Sequence, residues 1–227
     1  MNSPLKLSVK SEIWPLLMIA ITIGISYYFY PSLPETVASH WDFRGQVDGW
    51  TSKQIHSLLL PGIMAGIYIL FLILPYFDPK KERYQEFAKV YHIFKSLIIT
   101  TFLIVYLATT LYNVGYDLNI GLIIASTIGL LMIIIGNYMG KIKKNWFVGI
   151  RTPWTLSNEN VWNKTHRVGG WMFIIFGLVI ILAPNLPANL ALYVFISGAL
   201  LTTLGTFAYS YFAWRQEKKN NPTNDHA

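Results

Sequence analysis

The strongest constraint on this chain is a set of long, uninterrupted apolar runs. They fall at about 13–30, 57–77, 96–116, 120–140, 168–183 and 190–214. Most approach the ~20 residues a helix needs to cross the hydrocarbon of a bilayer. Only 13% of the residues are charged, where a soluble domain carries about a quarter. The expected fold is therefore all-α: a polytopic membrane protein with six transmembrane helices and no room for a separate soluble domain. The first run ends in Tyr27-Tyr28-Phe29-Tyr30 without a small-residue cleavage site, so it reads as a retained span and not a removed signal.

Charge sets the expected orientation. All of the 18 Lys and Arg except Arg44 and Lys53 fall in the terminal segments or in the second and fourth interruptions between runs. The positive-inside rule then places both termini in the cytoplasm, the loop 31–56 outside and the loop 141–167 inside. The net charge of +7 is thus a topology signal, and no direct nucleic-acid contact is expected. With no cysteine, disulfides, iron–sulfur clusters and thiolate zinc sites are excluded. The expected division is a front two-span unit, 1–77, and a four-span unit, 78–227.

Several local readings follow. Gly62 with Gly66, and Gly136 with Gly140, make GxxxG pairs that permit close helix contact. Tyr84, Phe87, Tyr91 and Phe94 repeat at helical spacing in the charged segment 78–95. That predicts either an amphipathic helix lying in the membrane surface or an extension of span three. Residues 117–119 and 184–187 read as turns, and 215–227 as a disordered polar tail. The spans hold almost no ionisable residue, which argues against ion-coupled transport. Asn137 reads as glue between helices, with Asn113 near an outer end.

Two polar stretches stand out. The outer loop 31–56 carries His40, Trp41, Asp42, Arg44, Asp48 and Trp50, with tight turns expected at Arg44-Gly45 and Asp48-Gly49. Three readings stay open: a structural cap whose Asp and His hold turns and whose Arg44 pairs with Asp42 or Asp48, a ligand-recognition surface, or a metal site from His40, Asp42, Asp48 and His56. Against the metal, the loop lacks the ligand alternation of an EF-hand and any i, i+4 His pair. No metal and no cofactor are expected.

The inner stretch 145–171 carries four of the eight tryptophans, with Arg151, His166, Arg167 and a rigid Thr152-Pro153 step. Ser157 reads as the N-cap of a helix over 158–168, with Glu159 in its first turn. No GxSxG elbow or HExxH helix is present, and no enzyme is expected. Lys141, Lys143 and Lys144 suit topology or anionic headgroups. Arg151, Trp154, Trp162, His166 and Arg167 read either as a partner-binding or switching surface or as interface packing.

Gly149-Ile150-Arg151-Thr152-Pro153-Trp154-Thr155-Leu156, then Val161-Trp162, then His166-Arg167, resemble the signature of SdpI-type bacterial membrane proteins. The pattern LPxxxxxHWDxxGxxDGW over 33–50 resembles a domain of unknown function found at the front of such proteins. The resemblance implies immunity to a secreted toxic peptide. It further implies capture of a small cytosolic repressor by the toxin-bound protein. Carried over by position, the matched residues are Gly149, Arg151, Thr152, Pro153, Trp154, Thr155, Leu156, Trp162 and Arg167; no catalytic residue comes with them. The expected partners are membrane lipids, a toxic peptide outside and a repressor inside. The expected location is the bacterial cell membrane, multi-pass, with both termini inside. The alternative is a general envelope-stress or small-molecule transport protein without a dedicated toxin.

Overall fold

A computed structural model describes residues 4–6 and 8–220. Helix α1 spans Val9–Phe29, followed by a 3₁₀ turn, Tyr30–Ser32. Two strands follow, β1 (Thr36–Trp41) and β2 (Val47–Ser52), and then α2 (Lys53–Phe77). A 3₁₀ segment, Lys81–Phe87, leads into α3 (Ala88–Asn113), and α4 is Ile120–Met139. A short helix α5 (Pro153–Ser157) precedes α6 (Glu159–Leu182) and α7 (Ala188–Asn220). Six helices are long and apolar enough to cross a membrane. They run alternately up and down, so one end carries the β-hairpin and the turns at 114–119 and 183–187. The other end carries the start of α1, the end of α7, the 78–87 segment and the 140–158 segment.

The burial pattern is inverted relative to a soluble bundle. On α7 the buried positions include Ala191, Thr202, Thr206, Ser210 and Ala213, while Leu200, Leu201, Leu204 and Phe212 are exposed. Lipid is as apolar as leucine, so large side chains gain nothing by turning inward. Small residues that allow close approach form the contacts instead. Several hydroxyls on buried faces bond a carbonyl of their own helix, as where Ser210 Oγ donates to Phe207 O at 2.6 Å and Thr109 Oγ1 to Val105 O at 3.0 Å.

The closest contact is between α4 and α6, and of the expected GxxxG pairs it uses Gly136 alone. A Cβ at Gly129 or Gly136 would lie 2.5 Å from the carbonyl oxygen of Gly177 or Gly170 on α6. A Cβ at Gly62, Gly66 or Gly140 would meet nothing within 4 Å. The working pattern is therefore glycines seven apart on each of two antiparallel helices, which repeats on one face after two turns. Asn137, expected as interhelical glue, is exposed.

The charged segment 78–95 does not lie on a membrane surface. Tyr84, Phe87, Tyr91 and Phe94 form a buried cluster with Leu5, Met139, Ile142 and Trp162. The apolar face of this segment meets protein and not lipid. Span one also begins earlier than expected, because Ser8 and Ser11 form a reciprocal cap. That brings Glu12 into the bundle, where Lys95 Nζ donates to its two carboxylate oxygens at 2.7 and 2.6 Å and Tyr68 Oη donates at 2.8 Å. The Lys95 side chain is 1% exposed and that of Glu12 14%. The expectation of almost no ionisable group within the spans is thus corrected by a buried ion pair joining α1, α2 and α3. At the far end, Arg215–Asn220 continue α7 and are not a disordered tail; residues 221–227 lie outside the described residues.

Two outcomes test this packing. Gly136→Val and Gly177→Val should each cost about 1–3 kcal/mol by forcing backbones apart, while Gly62→Val stays within about 0.5 kcal/mol; thermal unfolding in detergent measures both. Lys95→Met strands a buried carboxylate and should cost about 3–5 kcal/mol. The double variant Glu12→Gln/Lys95→Met should recover most of that loss in the same assay.

Candidate functional site

At one end of the bundle the outer loop is a β-hairpin, not an irregular loop. β1 and β2 pair antiparallel, with register shifts between Ala38 and His40 and between His40 and Trp41. The reversal sits at 42–46: Asp42 Oδ1 accepts from the N–H of Arg44 at 2.8 Å and of Gln46 at 2.9 Å. Gly45 supplies the positive φ of +75° that the turn requires. The second expected turn, at Asp48-Gly49, is absent. Gly49 lies within β2 opposite His40, where a Cβ would fall 2.9 Å from His40 Cβ. The irregular register brings the two backbones together there, and glycine tolerates it.

Asp48 pairs with His40 Nδ1 and not with Arg44. His56 is drawn away from both into the first turns of α2, where Nε2 meets Thr110 Oγ1 at 3.1 Å and the ring stacks on Tyr106. Among the described residues no group of three or more His, Cys, Asp or Glu side chains is placed to hold a metal ion. Trp41 packs edge-on against Tyr112, while Trp50 is 61% exposed. The hairpin is fastened to α3 by Asn113, whose amide accepts from Ala38 N–H at 2.7 Å and donates to Ala38 O at 3.0 Å. Beneath the hairpin lies a cavity of about 650 Å³, between α2, α3, α4, α6 and α7.

At the opposite end the 140–158 segment is built almost entirely by side chains bonding backbone. Buried Asn145 accepts through Oδ1 from the N–H of Phe147 and Val148, at 2.8 and 2.7 Å. Its Nδ2 donates to Lys143 O and Val148 O. Asp78, at the end of α2, accepts from Trp146 N–H at 2.9 Å and Tyr84 Oη at 3.0 Å. Trp162 Nε1 donates to Ile142 O at 2.8 Å. His166 is used at both nitrogens: Nδ1–H donates to Trp162 O at 2.9 Å and Nε2 accepts from Ile150 N–H at 2.9 Å. A carbonyl can only accept and an amide N–H only donate, so these partners fix the neutral tautomer. Gly149, at φ +114°, packs its Cα against that imidazole, and any side chain there would collide with His166 Nε2.

Thr152 caps the short helix α5. It accepts from Thr155 N–H at 3.1 Å, and Thr155 Oγ1 accepts from Thr152 N–H at 2.9 Å, a capping box over Pro153–Ser157. Ser157 is the last residue of α5, and Asn158 caps α6, with Glu159 in its first turn. Thr152, Trp162 and His166 are therefore buried scaffold. Arg151, Pro153 and Arg167 are exposed, and Arg151 Nη1 donates to Trp146 O at 2.8 Å. Trp154 packs edge-on against Phe207 and Tyr211 of α7. Burial, with Lys80 beside it, holds the Lys144 ammonium below its usual range.

Reading the sequence missed Asn113, Asn145 and Asp78 as organising residues. The available signal was a lone amide or carboxylate at the edge of an apolar run, where a buried polar group must find partners.

Residues 141–210 match the SdpI/YfhL protein family, and residues 17–65 match a domain of unknown function, DUF1648. The patterns at 149–167 and 33–50 fall inside these two matches. The chain is 26% identical over 208 residues to "Immunity protein SdpI" of Bacillus subtilis (strain 168), covering 92% of this chain and 98% of that protein. No solved structure matches. Together with the six spanning helices, this similarity makes the chain a multi-pass membrane protein.

His166→Phe should leave the Ile150 N–H without its acceptor, at a cost of about 1–3 kcal/mol. It should also expose 140–158 to protease in detergent. Arg151→Ala, at an exposed position, should change stability by less than about 0.5 kcal/mol.

Proposed function

We propose that this chain is a membrane immunity protein that protects the cell from a secreted toxic peptide. The observation that carries the reading is the similarity to Immunity protein SdpI, which runs through 92% of the chain and both polar ends of the bundle. We further propose that the hairpin end faces outward and both termini face the cytoplasm. The placement of Lys and Arg supports this, since Arg44 and Lys53 alone belong to the hairpin end. In this reading 1–77 is a front unit presenting the hairpin, and 78–227 is the unit that carries the inner segment.

The toxic peptide meets the hairpin at His40, Trp41, Asp42, Arg44, Asp48 and Trp50. Exposed Trp50 beside charged groups is the kind of anchor that protein contacts favour. Inside, the exposed residues Arg151, Pro153 and Arg167 form the contact surface for a small cytosolic repressor. Thr152, Trp162 and His166 hold that surface in shape. Trp154 ties it to α7. For the two ends to communicate, the peptide must bind two conformations of the bundle with different affinity.

The test is survival of a sensitive bacterial strain expressing the full chain and challenged with a panel of membrane-active secreted peptides. The expected result is selective protection by the wild type and its loss with Trp50→Ala. Arg151→Ala should lose protection or signalling while remaining inserted. Because the chain has no cysteine, single cysteines at Ser39 and Ser157 report orientation in the same cells: an impermeant maleimide should label the first and not the second. Protection against no peptide, with normal insertion, would overturn the immunity reading.

A further inference from the structure

The cavity beneath the hairpin shares His40, Trp41, Asp42 and Arg44 at its rim with the contacts proposed above, but its apolar depth is not used by them. At about 650 Å³ it has the size of a small-molecule site. Its walls include Val105 and Ile128, each eight residues in from the outer ends of α3 and α4 at Asn113 and Ile120. At about 1.5 Å per residue that is a depth of ~12 Å. This lies within one leaflet of a hydrocarbon core ~30 Å thick.

Depth and chemistry restrict the occupant. A peptide helix resting on the mouth would extend its side chains only about 3–4 Å beyond its own Cα cylinder. A peptide backbone drawn deeper would lose its hydrogen bonds to water. It would find few replacements there. Leu59, Leu60, Ile124, Ile128 and Ile180 are apolar. His56, Thr109 and Asn119, also on the wall, already bond Thr110, Val105 and the N–H of Leu122. A plain hydrocarbon chain needs no such partners and fills the depth.

The mouth has a different character. Arg44 lines it and is exposed, and its guanidinium has no ion pair among the described residues. Asp42 stands on the same rim, with Oδ1 committed to the turn. On the flank, α2 and α7 border the cavity without being among the well-packed helix pairs, and Phe43 reaches across to Phe195 of α7. A chain can enter there from the side.

The geometry points to a lipid site: an acyl chain of a phospholipid from the hairpin-side leaflet occupies the cavity, and its phosphate meets Arg44. The shared chemistry is a phosphate head on a hydrocarbon tail, so phosphatidylglycerol and phosphatidylethanolamine are both candidate sources. The site does not depend on the immunity reading, because its occupant is the membrane itself.

The experiment is native mass spectrometry of the full-length protein in detergent, titrated separately with phosphatidylglycerol, phosphatidylethanolamine and uncharged diacylglycerol. The expected result is one retained phospholipid per chain, with the preferred head group identifying the source. Ala125→Trp, which fills the cavity, should lower retention about tenfold. Arg44→Gln should weaken phospholipid roughly tenfold, the value of a charge-assisted hydrogen bond, and leave diacylglycerol unchanged. Thermal melts of both variants separate lost binding from lost folding, and exposed Arg44 tests the site even where Ala125→Trp unfolds the chain. Undiminished phospholipid binding by folded Ala125→Trp would overturn the assignment, as would equal effects of Arg44→Gln on phospholipid and diacylglycerol. So would capture at Ala125 of a membrane-active peptide by a photocrosslinker with no competition from phospholipid. None of these readings uses cell survival, so a failed protection assay leaves the lipid result standing on its own.

Discussion

Four glycines let the backbones of α4 and α6 touch, and much of the second half is arranged around that contact. Water cannot drive helices together inside a bilayer, so attraction there must come from dispersion and dipoles at short range. With side chains removed from the seam, α4 ends close to where α6 begins. The intervening 140–158 segment then has little space in which to reverse. It is too polar to be buried passively and too confined for regular structure throughout. Asn145, Thr155, Trp162 and His166 solve this by supplying the hydrogen bonds that a helix or sheet would otherwise provide.

The same logic explains the front of the molecule. Glu12 and Lys95 lie in helices that cross the membrane, yet each neutralises the other, and Tyr68 adds a further bond. Such a pair is poor evidence for added stability, because desolvation offsets much of the attraction. It does impose a register: α1, α2 and α3 must meet at one level for all three groups to be satisfied. At the hairpin end His56 and Asn113 do comparable work, joining α2 and β1 to α3.

The six spans were legible because lipid demands length and apolarity, and both are written in the runs themselves. The hairpin was not. The β1 sequence TVASHW lacks clean alternation, and its irregular register moves Gly49 out of a turn and into a strand. The glycine seam escaped a search for pairs four apart, since antiparallel helices that face each other over two turns repeat every seven. Glu12 and Lys95 read as part of the N-terminal tail and of the charged segment 78–95, because charge in a sequence resembles water exposure until its partner is known. In the inner segment the pattern 149–167 does not separate the roles its residues take in the structure. That Thr152 and His166 are scaffold while Arg151 is presented depends on where the Ile150 N–H points, which no spacing rule encodes.

The bond between Asn113 and Ala38 has one more consequence. An amide side chain that both accepts from and donates to a strand residue imitates the next strand of a sheet. The outer edge of β1 is thereby closed at its centre by a single residue of α3. The sheet is left one-sided: a third strand, from whatever source, has only the margin of β2 on which to grow.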